Sequence, residues 1–89
     1  MYELGCLYDT RQSFYGKAYV KEFKCGLELY SYNTLVARIT NETTKTTYEN
    51  FGKFSQTTTR HQKEFFKQNG LTDAQIKELF KNGYLIEEG

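Results

Sequence analysis

At 89 residues and a formal charge of +1, the chain reads as a single domain (1–89). That charge excludes both a strongly basic nucleic-acid coat and an acidic nucleic-acid mimic. Eight Tyr and seven Phe, with no Trp and no Pro, predict a small core of large rings plus surplus tyrosines at the surface as contact residues.

Tyr2 to Tyr8 (YELGCLY) reads as a first strand, Leu4 and Cys6 alternating with Glu3 and Gly5. Asp9 to Ser13 is a polar loop that Asp9 can close on its own downstream backbone. Phe14-Tyr15-Gly16 returns the chain to strand. In Gly16 to Phe23 (GKAYVKEF), Ala18 and Val20 share one face, with Lys17, Tyr19, Lys21 and Phe23 on the other. Lys24-Cys25-Gly26 is a tight turn in which Gly26 is expected to take a positive φ. Leu27 to Tyr32 and Leu35 to Thr40 are further strands, and the Thr-rich Thr44 to Phe51 suits a sheet edge.

Phe54 to Gly70 (FSQTTTRHQKEFFKQNG) carries the clearest helical signal. Ser55 or Thr57 is its N-cap and Asn69-Gly70 its left-handed exit. Thr58, Gln62, Phe65, Phe66 and Asn69 fall near one face, and Arg60, Lys63 and Lys67 on another. Thr72-Asp73-Ala74-Gln75 is a capping box opening a second helix, which buries Ile76, Leu79 and Phe80 and stops at Gly83. Tyr84-Leu85-Ile86 then runs back onto the core. The fold class is therefore α+β: an antiparallel four- to five-stranded sheet, a main helix at about 55–69 on one face, and a shorter helix at about 73–82.

Several groups could carry chemistry. Cys6, Cys25 and His61 are zinc-ligand types, but they lack CxxC or HxxxH spacing. Zinc stays an alternative to two small apolar cysteines and a locally bonded histidine, and no cofactor is assigned. No nucleophile turn is visible, so catalysis is not expected. Arg60, Lys63 and Lys67, with Lys53 and the Thr57–Thr59 hydroxyls, have the chemistry of phosphate contacts, or simply form a solvated face. The charge is uneven: that stretch holds only Glu64 against these cations, while Asp73, Glu78, Glu87 and Glu88 outweigh Lys77 and Lys81 after it. Tyr19 between Lys17 and Lys21 could serve as a stacking platform. The loop DTRQSFYGK offers Asp9, Arg11, Phe14, Tyr15 and Lys17 as interface anchors, against an internal Asp9–Arg11 pair that merely shapes the loop. No apolar run approaches the roughly 20 residues of a bilayer span, and Met1-Tyr2-Glu3 lacks a leader's basic start. A cytoplasmic protein with free thiols is expected.

Three blocks, Tyr8 to Ala18 (YDTRQSFYGKA), Leu29 to Ile39 (LYSYNTLVARI) and Phe54 to Gly70, make the chain resemble a family of small proteins of phages and prophages of Gram-positive bacteria. The resemblance covers about residues 8 to 70. Helix position 62 is more often apolar in that family, so Gln62 is a departure that bears on helix packing. Small phage proteins of this kind include anti-CRISPR inhibitors of Cas9-type effectors. The resemblance therefore implies a non-enzymatic inhibitor in the bacterial host cytoplasm that occupies a host protein's surface. It implies a CRISPR effector nuclease as partner, with no membrane and no small-molecule substrate. The second reading is a nucleic-acid-binding accessory protein that uses the basic helix face.

Overall fold

A computed structural model describes residues 1–88. Six antiparallel strands follow one another across the sheet in chain order: β1 (Tyr2–Glu3), β2 (Ala18–Phe23), β3 (Gly26–Ser31), β4 (Thr34–Asn41), β5 (Lys45–Asn50) and β6 (Tyr84–Glu88). Helices α1 (Gln56–Gln68) and α2 (Asp73–Asn82) are inserted between β5 and β6. The class is α+β, with more strands than the four or five expected.

The additional strand is β6. It pairs with β5, Tyr48 opposite Leu85 and Thr47 opposite Ile86, so Thr44 to Phe51 contains an interior strand and not an edge. The apolar part of β6 is three residues long, too short to advertise a strand, and its partner lies on the far side of two helices. The first strand is correspondingly shorter than its alternation suggests. Beyond Glu3 the Leu4 amide still donates to the Ala18 carbonyl, but the Gly5 carbonyl is taken by Gln68 and the Leu7, Tyr8 and Asp9 amides go to the Glu64 carboxylate and not to a neighbouring strand.

Both hairpin turns in the middle of the sheet are two residues long. Tyr32 and Asn33 take φ of 51° and 68°, the left-handed pair that matches strand twist in such turns. Gly26, by contrast, has no positive φ. Its need for glycine is steric, since a Cβ there would overlap the Ile39 carbonyl across the β3–β4 pair. A register shift between Leu29 and Tyr30 lets both Val36 and Ala37 turn inward.

The core lies between the sheet and the helices. Val20, Leu29, Val36, Ile39 and Tyr48 meet Phe65 and Phe66 of α1 and Ile76 and Leu79 of α2. The Phe66 ring stands edge-on to both Tyr48 and Phe80, at 6.5 Å between centroids in each case. Ser55, not Thr57, caps α1, accepting from the Thr58 amide. Thr72 and Gln75 form the full capping box on α2, and Gly83 closes that helix at φ 84°.

Candidate interaction site

Polar side chains on the buried side of α1 hold distant segments against it. Glu64 is 2 % exposed. Its carboxylate accepts from the amides of Leu7 at 3.0 Å, Tyr8 at 3.0 Å and Asp9 at 2.8 Å. The Gln68 amide donates to Glu64 at 2.6 Å and to the Gly5 carbonyl at 2.7 Å, extending the same clamp. A buried carboxylate so supplied has its charge spread over several donors, which fixes the shape of the Leu7–Asp9 loop. Sequence reading treated Glu64 as the lone acid on a solvated face. The only available hint was an acid among lysines on a helix whose first turn contains none.

Gln62 is 0 % exposed. Its amide donates to the Val36 carbonyl at 3.0 Å and to Asn50 Oδ1 at 2.6 Å, tying α1 to β4 and β5. His61 is 0 % exposed, with its ring against Phe14 at 4.5 Å and Tyr32 at 5.9 Å. Ser31 Oγ lies 2.8 Å from His61 Nδ1 and 2.9 Å from Thr58 Oγ1. Burial, and secondarily the Arg11 guanidinium, push the His61 pKa down, with Asp9 opposing, so the ring is neutral at pH 7. The Ser31–His61 spacing has the look of a nucleophile–base pair, but both residues are enclosed. In this position the pair links β3 to α1.

The zinc trio is not assembled. Cys25 is exposed at the β2–β3 turn, His61 is in the core, and Cys6 is half-buried near the N-terminus. Among the described residues no three His, Cys, Asp or Glu side chains gather as metal ligands. Burial raises the Cys6 pKa, aided by Asp9 and Glu64 and opposed by Arg11.

The anchors expected in the Asp9–Lys17 loop divide. Phe14 is a correction: it is 3 % exposed and belongs to the core, because its ring fills the space beside His61 that the loop closes over. Asp9 accepts from the Arg11 amide at 2.9 Å, but its ion-pair partner is Arg60 at 3.2 Å and not the Arg11 side chain. That pair joins the loop to the basic face of α1. Arg11, Tyr15 and Lys17 are exposed, Tyr15 at 71 %. Tyr15 sits at φ 52°, an uncommon backbone for a bulky residue, with its amide donating to Ser13 Oγ at 2.7 Å. The Lys17 ammonium lies 6.0 Å from the centre of the exposed Tyr32 ring. Tyr19 lies on the opposite, helix-free face of the sheet, in a row with Tyr30 and Leu35.

Arg60, Lys63 and Lys67 do fall on one face. Lys63 and Lys67 line a cleft of about 400 Å3 between the helices, completed by Asp73, Ile76, Lys77 and Phe80. Lys67 pairs with Asp73 at 3.0 Å. A shallower depression on the other side of the ridge runs from Arg60 to Tyr8 and Asp9. Lys77 and Tyr32 were missed by sequence reading. Lys77 looks like any solvated helix residue until α2 is laid beside α1, and Tyr32 acquires its position only from the β3–β4 turn.

In comparison with known proteins, residues 2–82 match the "Family of unknown function (DUF8033)". No curated protein and no solved structure matches.

Proposed function

The chain belongs to that family of unknown function, and we propose that it is a non-enzymatic inhibitor that acts by covering part of a host protein. The observation that carries this reading is the Glu64 clamp. It holds a loop more than fifty residues away against α1, and with the Asp9–Arg60 pair it makes one fixed surface from two segments. A surface arranged before the encounter loses little freedom on binding, and that is how a small protein gains affinity without a deep pocket. Arg11, Tyr15, Lys17 and Tyr32 at one end of this surface, and Arg60, Lys63 and Lys67 along it, are the contact residues. Arg and Tyr are the types enriched in such roles.

The phage-protein resemblance makes a Cas9-type effector nuclease in the bacterial cytoplasm the first partner to test. Among the described residues no helix is long and apolar enough to cross a membrane. Mixing the chain with guide-loaded effector should yield a stoichiometric complex on gel filtration and loss of DNA loading or cleavage. Absence of a complex at micromolar concentrations removes the effector as partner.

The clustering of Arg60, Lys63 and Lys67 also favours a second reading, in which the basic ridge meets nucleic acid. It predicts an affinity that falls steeply with salt. An Arg60→Ala/Lys63→Ala/Lys67→Ala variant with unchanged DNA and RNA affinity would dismiss it. The first reading is preferred because the enclosed Asp9 carboxylate already pairs with Arg60 and puts a fixed negative charge at the end of the ridge.

A further inference from the structure

The cleft between α1 and α2 combines two kinds of surface that a solvated helix face does not need. Its apolar floor is the half-buried Phe80 with the core residue Ile76 behind it, and around it stand Lys63, Lys67 and Lys77 with a single acid, Asp73. Asp73 meets only Lys67, and its side chain is 86 % exposed, so that pair is readily exchanged for another partner. Among the described residues Lys63 and Lys77 form no ion pair, which leaves two cations unanswered beside an apolar floor. The volume, about 400 Å3, is within the range of clefts that seat ligand groups.

We infer that this cleft seats an acidic, aromatic-containing peptide segment of the partner protein. The inference rests on the binding reading above and assigns the chemistry of its contact. An aromatic or branched side chain lies against Phe80, while carboxylates on either side meet Lys63 and Lys77. Lys67 exchanges Asp73 for a carboxylate of the segment. Lys63 and Lys67 are one helical turn apart, about 6 Å along the axis, so carboxylates similarly spaced on a short helix match them.

Charge favours a peptide over a nucleic acid here. Polyanion affinity grows with the number of phosphates neutralised, and this cleft has only two unpaired cations. Asp9 and Asp73 flank the ridge on its two sides, where a passing phosphate backbone would meet them. A peptide needs only local complementarity, and its apolar side chain uses the floor.

The test is selection of a displayed library of random peptides, roughly ten residues long, against the full chain and against a Lys63→Glu/Lys77→Glu variant. Enrichment of sequences combining Asp or Glu with Phe, Tyr, Trp or Leu is expected on the native chain and not on the variant. The best peptide, synthesised with a fluorescent label, should lose at least about tenfold in affinity when its aromatic residue becomes Ala, and as much on the variant. It should outcompete single-stranded DNA of equal charge.

Enrichment of neutral or basic sequences, equal recovery on the variant, no enrichment, or preference for the DNA would each overturn the assignment. The effector experiment is read separately. If the Lys63→Glu/Lys77→Glu variant still binds and inhibits the effector as the native chain does, the cleft assignment fails and the inhibitor reading stands. If the native chain selects acidic–aromatic peptides yet binds no effector, the cleft assignment stands and only the choice of partner fails.

Discussion

Helix α1 buries Thr58, His61, Gln62 and Glu64 alongside Phe65 and Phe66, whereas α2 buries only Ile76 and Leu79. Between them the polar groups on α1 reach three parts of the chain: Thr58 and His61 reach Ser31 on β3, Gln62 reaches β4 and β5, and Glu64 reaches the N-terminal loop. Helix α2 buries no polar side chain, and its bonds to other elements, Gln75 to Glu87 at 3.3 Å and Asp73 to Lys67 at 3.0 Å, lie at the surface. It is set by its capping box, by Gly83 and by apolar contact with the sheet. The difference teaches how a small core can still define a surface. Apolar burial holds a helix down but tolerates sliding, while directional hydrogen bonds from buried groups specify where each neighbouring segment sits.

Four measurements would break or sharpen that contrast. The largest effect is expected from Glu64→Ala, which leaves the amides of Leu7, Tyr8 and Asp9 without their carboxylate. A loss of about 3–4 kcal/mol in urea unfolding is expected, with faster amide exchange at those three positions. A stability change under about 1 kcal/mol would mean that the clamp does not shape the loop. Leu79→Ala should cost about 3 kcal/mol through the cavity it leaves, with Leu7–Asp9 exchange changed only as far as global stability requires. Selective release of the loop by this α2 substitution would erase the distinction between the helices.

The third measurement is pH dependence. His61 has its pKa lowered in the folded state, so its neutral form is the one that fits. Folded and unfolded chains are both neutral at this position well above the ordinary histidine pKa of about 6.5. Below that pH the unfolded chain takes up a proton that the folded chain resists, and stability falls. As the pH falls from about 7.5 to 5.5 His61 should lower the stability of the fold, and a His61→Gln variant should lack that contribution. Equal pH slopes for the two proteins would contradict the buried neutral ring. Smallest of the four, Thr72→Ala should remove the reciprocal cap of α2 at a cost of about 1 kcal/mol or less, without altering peptide selection by the cleft.

The second face of the sheet shows the same principle with charges. Strand register sets Lys21, Glu28, Arg38 and Glu49 side by side, and Arg38 bonds Glu28 at 2.9 Å, so opposite signs answer one another across the strands. On α1 the helical repeat instead gathers Arg60, Lys63 and Lys67, and their acidic neighbours come from flanking segments.

What the sequence determined by itself was local. Ser55 or Thr57, the Thr72–Gln75 box and Gly83 marked the helix ends because capping involves residues only a few positions apart, and the structure chose Ser55. The inward set on β2 followed from two-residue alternation, and the gathering of Arg60, Lys63 and Lys67 from the helical repeat. Tertiary structure alone decided that Glu64 is a buried clamp, that Phe14 is core, that β6 completes the sheet and that Lys77 faces Lys63 across a cleft. In each of those cases the deciding partner is remote along the chain. A carboxylate in a lysine-rich helix looks solvated until three amides from the other end of the protein arrive to surround it.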